Sequence, residues 1–160
     1  MGKKLRKLTR KHSIPFFINS DVELALFVEA DGIHFMNADS KEIQKARDLL
    51  PKHTIYGLTV RSLEEMQNNP EFDYFSVGPV FASVTYPKVD ARGLDNFKKF
   101  RERTKKVLLA AGGISVENAE EVFKAGADGV VVVSAILEAD SHEEAGRRIS
   151  LLVHLLNSTK

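Results

Sequence analysis

The sequence predicts an α/β fold of about six parallel strand and helix units in one domain spanning 1–160, and three observations carry that expectation. Short β-rich apolar runs alternate with helix-like stretches along the chain. Most of the helical stretches open on a recognisable cap. Two runs, Val107 to Ala111 and Gly129 to Val133, are apolar at nearly every position, which suits parallel strands covered on both faces.

The elements follow in order. Ile14 to Ile18 reads as a strand, and after Asn19, Ser20 and Asp21 the segment Val22 to Glu29 reads as a helix. Gly32 to Phe35 is the second strand. Asp39 then begins a capping box in which its carboxylate accepts backbone donors while Glu42 reaches back, and the helix behind it is expected to bury Ile43, Ala46, Leu49 and Leu50. Ile55 to Val60 gives a third strand, and Ser62 with Glu65 repeats the box before another helix. Tyr74 to Val80 is the fourth strand. The long connection from Phe81 to Leu94 precedes a helix around Asn96 to Arg103, and a loop of that length in a small domain is expected to carry ligand contacts. Val107 to Ala111 is the fifth strand, Ser115 caps a helix ending at Gly126, and Gly129 to Val133 is the sixth strand. Ser141 with Glu144 opens the last helix, whose Ala145, Ile149, Leu152, Val153 and Leu156 share a face. Ala30-Asp31-Gly32 and Ala127-Asp128-Gly129 echo one another at two helix-to-strand junctions, where the glycine is expected to supply the unusual backbone angle.

Composition narrows the function classes. With 43% hydrophobic and 28% charged residues and a net charge of +1, the chain is neither disordered nor membrane-embedded in character. It has no cysteine, which excludes disulfides, thiolate catalysis and cysteine-type zinc sites. No apolar run approaches the roughly 18 residues that span a bilayer, and no signal-like segment follows the start, so a cytoplasmic protein with no membrane association is expected. Lys3, Lys4, Arg6, Lys7, Arg10 and Lys11 form the one basic cluster. Without interleaved aromatic residues it reads as the solvated face of a helix turned inward on Leu5 and Leu8, and no nucleic-acid partner is expected.

Functional loops of α/β folds lie beyond the carboxyl ends of the strands. After the fifth strand come Gly112, Gly113 and Ile114, and after the sixth Val133, Ser134 and Ala135. Small residues there admit a phosphate to backbone N–H groups at a helix start. The strand and helix count alone leaves an open doubly wound sheet and a barrel both standing.

Four segments decide between them. Ala110 to Ile136, Gly57 to Glu65, Asp73 to Phe81 and Ala30 to Phe35 together resemble, in order, the thiamine-phosphate synthase and thiazole tautomerase superfamily. The resemblance implies a TIM (β/α) barrel, here incomplete: Phe16 to Ile18 matches the family's third strand, so the first two strands and their Gln-x-Arg-x-Lys pyrophosphate contacts have no counterpart in this sequence.

The resemblance also implies site residues. The family's Ile-Asn-Asp reads Ile18-Asn19-Ser20, which keeps Asn19 for an aminopyrimidine and replaces a metal carboxylate by Ser20. Asp39 is the second Mg²⁺ ligand of the family pattern, and by the residues alone it is equally a helix cap. Thr59 keeps a hydroxyl contact. Arg61 stands where the tautomerases carry a proton-transferring histidine and cannot shuttle protons near neutral pH, since its pKa exceeds about 12; it reads as an anion contact or as a surface side chain. Ser83 and Thr85 keep the hydroxyls that hold the thiazole phosphate, with Gly113, Val133 and Ser134 completing the phosphate site, while Tyr86 replaces a lysine that neutralises pyrophosphate. His34, inside a strand, reads as a core imidazole bonded to a neighbour.

The implied activity is the joining of hydroxymethylpyrimidine diphosphate to thiazole phosphate with release of pyrophosphate, here impaired. A non-catalytic binder of a thiazole phosphate or similar ester is the alternative, and Arg61 argues against an isomerase. The implied partners are a phosphorylated thiazole or pyrimidine and Mg²⁺. Six strands with two open edges further predict a homodimer or another partner covering them.

Overall fold

The computed structural model describes residues 1–82 and 89–159. Six strands form one sheet in sequence order, every neighbouring pair parallel: β1 (Phe17–Asn19), β2 (Gly32–Phe35), β3 (Ile55–Val60), β4 (Tyr74–Val77), β5 (Val107–Ala111) and β6 (Gly129–Val131). The sheet curls into a half-barrel. Helices connect the strands: α1 (Gly2–Lys11), α2 (Val22–Val28), α3 (Ser40–Leu49), α4 (Leu63–Gln67), α5 (Gly93–Arg103), α6 (Ala119–Lys124), α7 (Ser134–Leu137) and α8 (His142–Ser158).

The register sorts the strand residues onto two faces. Phe35, Leu58, Phe75 and Leu108 are successive partners across β2 to β5, and Val60, Val77 and Ala110 form the next row. These side chains are buried, and they meet Val22, Ile43, Met66, Phe97, Phe100, Val122 and Leu152 from the helices in a single core. The opposite, concave face carries the rows Asn19, His34, Gly57, Tyr74, Val107 and Thr59, Ser76, Leu109, Gly129. One face of the sheet therefore supplies stability, and the other is chemically varied.

The strand ends are tied by a device used three times. Asp31, Asp73 and Asp128 each precede a strand, and each carboxylate accepts the backbone N–H of a residue at the start of the preceding strand: Phe16 at 2.7 Å, Tyr56 at 2.7 Å and Leu108 at 2.8 Å. The N–H of each aspartate returns to the carbonyl of that same residue at 2.8–2.9 Å. Arg6 binds the Asp31 carboxylate through both Nη atoms, and Arg101 binds Asp128. The glycines that follow Asp31 and Asp128 have no left-handed backbone, contrary to expectation. Glu29 (φ 53°) and Gly126 (φ +96°) take that conformation at the helix ends. Gly32 is needed instead for close approach, because a Cβ there would lie 2.2 Å from the Phe17 ring.

Several element bounds shift for local reasons. β1 starts at Phe17 because Ser13 turns left-handed at φ 53° and the Ile14 N–H still bonds back to Thr9. β4 stops before Gly78, since Pro79 has no N–H to offer a ladder. α6 begins at Ala119 rather than after Ser115, because Asn118 closes the turn first: its Oδ1 accepts Ser115 N–H at 2.9 Å and its Nδ2 donates to Gly113 O at 2.9 Å. The caps behave unevenly. Asp39 and Ser141 cap their helices from one side only, whereas Ser62 accepts Glu65 N–H at 3.0 Å and the Glu65 carboxylate reaches back to Arg61 N–H.

Three faces differ from the helical periodicity. No residue of α1 is buried, and its inward contact is Arg6 rather than Leu5 or Leu8. Leu49 is exposed while its neighbours Ala46 and Leu50 are buried, and on α8 Leu152 is buried whereas Ile149 and Val153 face out.

Candidate functional site

Beyond the carboxyl ends of the strands, the concave face opens into a cavity of about 340 Å³. Asn19 lines it from the end of β1, Thr59 from β3, Gly113 from the turn after β5, and Val133 and Ser134 from the turn after β6. Five residues proposed from sequence thus meet in one place, although the first and last are more than a hundred positions apart. Ser83 and Thr85 lie outside the described residues. Asp39 is not among the cavity's lining residues: its Oδ1 accepts Lys41 N–H at 2.9 Å and Glu42 N–H at 3.3 Å as the cap of α3. Ser20 takes a left-handed φ of 60° and donates its N–H to His34 O, and Asp21 caps α2 through Leu24 N–H.

The end of the cavity at Gly112 and Gly113 is built from backbone. Gly112 (φ +88°) and Gly113 (φ +65°) both need glycine, and a Cβ on Gly113 would stand 2.3 Å from Ala82 O. The chain after β4 therefore packs directly on the Gly-Gly turn. Across the cavity α7 starts at Ser134, with Ile136 and Leu137 N–H groups taken by Val133 O. The N–H groups of Ser134 and Ala135 precede any intrahelical acceptor and are the donors that such a turn offers an anion.

The middle of the cavity holds a polar relay that sequence reasoning did not assemble. His34 Nε2 lies 2.8 Å from Thr59 Oγ1 and Nδ1 lies 3.0 Å from Tyr74 Oη, with the two rings stacked at 5.5 Å. Burial pushes the imidazole down to about 4 and the Tyr74 phenol up to about 12, so all three groups are neutral near pH 7. Three protons then serve two hydrogen bonds. One hydroxyl, at whichever end the tautomer dictates, keeps a proton for a ligand. The expectation that His34 bonds to neighbours holds, and the same residue also lines the cavity. Glycines make the space: a Cβ on Gly57 would fall 2.0 Å from Tyr74 Cζ. Strands two apart in the register, or further, can therefore share one layer, as Phe17 and Tyr74 do edge to face at 5.8 Å.

Among the described residues no group of three or more His, Cys, Asp or Glu side chains is placed to hold a metal ion. No helix of the described residues is long and apolar enough to cross a membrane.

The family model for thiamine monophosphate synthase matches residues 1–136. The chain is 38% identical over 153 residues to the thiamine-phosphate synthase of Chloroflexus aurantiacus, covering 94% of this chain and 70% of that protein. It is 36% identical over 160 residues to that of Archaeoglobus fulgidus, covering 99% and 75%. Among solved structures, thiamine phosphate pyrophosphorylase from Pyrococcus furiosus superposes with a TM-score of 0.83 at 34% identity, covering 97% of this chain and 75% of that one. The half-barrel, the cavity beyond its strand ends and these matches agree: the chain belongs to the thiamine monophosphate synthase family.

Proposed function

We propose that the chain binds a thiazole phosphate and a pyrimidine diphosphate in the concave cavity and joins them slowly, with release of pyrophosphate. The observation that carries this reading is the convergence of Asn19, Thr59, Gly113, Val133 and Ser134 on one space. The thiazole phosphate rests against the N–H groups of Gly113 and Ser134, with the hydroxyls of Ser83 and Thr85 as further contacts by family resemblance. Asn19 faces the pyrimidine, and Thr59, oriented by His34, supplies a hydroxyl.

Slow turnover follows from what is lost at the family's own contacts to the departing diphosphate. That charge needs cations or a metal in the transition state. Ser20 brings no carboxylate, Tyr86 brings no charge, and Asp39 caps a helix outside the cavity lining. Substrate oxygens and Asp39 are the groups that would hold Mg²⁺, whose role would be to screen the diphosphate. A coupled assay for thiamine phosphate with Mg²⁺ tests the reading. Formation of product at a rate at least about a hundredfold below that of a synthase carrying the family's own diphosphate contacts is expected, equivalent to about 2.7 kcal/mol of lost transition-state stabilisation. Full-rate turnover contradicts the impairment, and no product together with retained thiazole phosphate binding favours a non-catalytic binder.

The edge strands β1 and β6 each pair on one side within the described sheet, and apolar residues stand exposed in or next to them in sequence: Ile14 before β1, and Val131, Val133 and Leu137 in and after β6. A second copy covering these edges is part of the proposal. Sedimentation at micromolar concentration should give a dimer, and a monomer removes this part.

A further inference from the structure

The main cavity shares a wall with a second lobe of about 180 Å³, since Met36, Thr59, Ser76, Ala111 and Gly112 line both. The first lobe ends on Gly113, Val133 and Ser134, and the second on Arg61 and Arg92. Both arginines are exposed, and both are held from behind. The Arg61 N–H donates to Glu65 Oε2 at 2.7 Å, and its Nη2 donates to Met36 O at 3.1 Å. Arg92 donates from Nη1 to Arg61 O, and its backbone N–H bonds to Pro79 O at 2.8 Å. Two segments far apart in sequence are thereby locked together by the guanidiniums that face the lobe.

Each guanidinium carries five N–H donors, and the bonds above use one on each side chain. Neither pairs with a carboxylate among the described residues, and 83–88 contains no Asp or Glu. Two cations on the wall of a cleft, neither in an ion pair among the described residues, concentrate anions there. The planar fork of arginine matches phosphoryl oxygens, and paired forks suit a group with two linked phosphoryls better than one.

We propose that Arg61 and Arg92 form a second anion subsite that takes a diphosphate group while the Gly113 to Ser134 end takes a monophosphate. The assignment rests on the reading of the cavity as a site for two phosphorylated ligands. It gives the lobes separate roles: each anion anchors at its own end, and the organic parts of the ligands meet along the shared wall at Thr59 and Ser76. Arg61, which argues against an isomerase, acquires a use in binding.

Calorimetry of the full chain with inorganic pyrophosphate, then with inorganic phosphate, tests the subsite. The double variant R61Q/R92Q keeps a donor at each position and removes both charges. Its pyrophosphate affinity is expected to fall at least about tenfold, with a shallower dependence on ionic strength, while thermal unfolding and phosphate affinity stay as in the wild type. Unchanged pyrophosphate affinity in the variant, or no pyrophosphate binding by the wild type, overturns the proposal. Assays separate it from the functional reading. If the wild type binds pyrophosphate through these arginines yet forms no thiamine phosphate, the subsite stands and the synthase reading falls; if R61Q/R92Q forms product with an unchanged KM for the pyrimidine diphosphate, the subsite falls and the synthase reading stands.

Discussion

The ring of Tyr74 occupies the space that a side chain on Gly57 would fill, with only 2.0 Å between Tyr74 Cζ and the position of a Cβ on that glycine. The two residues are register partners on neighbouring strands β3 and β4. Replacing Gly57 by alanine forces Tyr74 off His34 and strains the concave layer. Urea denaturation should show a loss of about 3 kcal/mol for G57A. Gly146 provides the contrast, since it lies within α8 with nothing near its Cβ position. G146A should gain about 0.5–1 kcal/mol from helix propensity.

His34 makes stability depend on pH. Its folded-state pKa, pushed down by burial to about 4, lies below the ordinary imidazole value of 6.5, so the unfolded chain binds the proton more readily between those values. The contribution of neutral His34 is fully present above about pH 6.5 and is lost as pH falls toward 4, by an amount on the order of 3 kcal/mol. Urea midpoints measured from pH 4 to 7.5 on the wild type and H34Q check this. The difference between the two curves should change within that window, and parallel curves would assign the dependence to other groups.

Asp31 holds Arg6 through two hydrogen bonds of 2.6 and 2.7 Å, and Arg6 is the one α1 side chain turned well inward. The guanidinium keeps the Asp31 carboxyl below the usual carboxylate range, so this stabilisation is present above the unfolded pKa and is lost as pH falls through the folded one. D31N should destabilise by about 1–3 kcal/mol, because a part-buried cation loses its partner. A double-mutant cycle with R6M should show coupling of about 1 kcal/mol or more.

The phosphate end should fail at one carbon atom. G113A places a methyl 2.3 Å from Ala82 O at a backbone angle unfavourable for alanine, φ +65°. Thiazole phosphate affinity is expected to fall by more than about tenfold, whereas T59V should raise the KM for the pyrimidine substrate, an effect of about 1 kcal/mol for one hydroxyl contact.

The alternation of strands and helices was legible because the strands carry nearly continuous apolar runs, although Val107, Val131 and Val133 are exposed and these runs are not covered on both faces as expected. Helix starts were legible where Asp21, Asp39, Ser62 and Ser141 carry their caps in the side chain. The α6 start was not, because Asn118 acts through the backbone of a turn rather than as a helix cap. The faces of α1 and α8 misled because periodicity marks apolar residues without stating whether a neighbour exists to cover them. The cavity residues came from resemblance at the strand ends, and the relay of His34, Thr59 and Tyr74 was missed because it depends on register across three strands. Its signal was present: Gly57 inside a β-run marks a place where another side chain approaches.

The most direct measurement is the structure of the chain with a thiazole phosphate bound. The account predicts the phosphate within hydrogen-bond reach of the Gly113 and Ser134 N–H groups, with the thiazole lying toward Thr59. A phosphate bound elsewhere, or an empty cavity at millimolar ligand with no calorimetric signal, would contradict it.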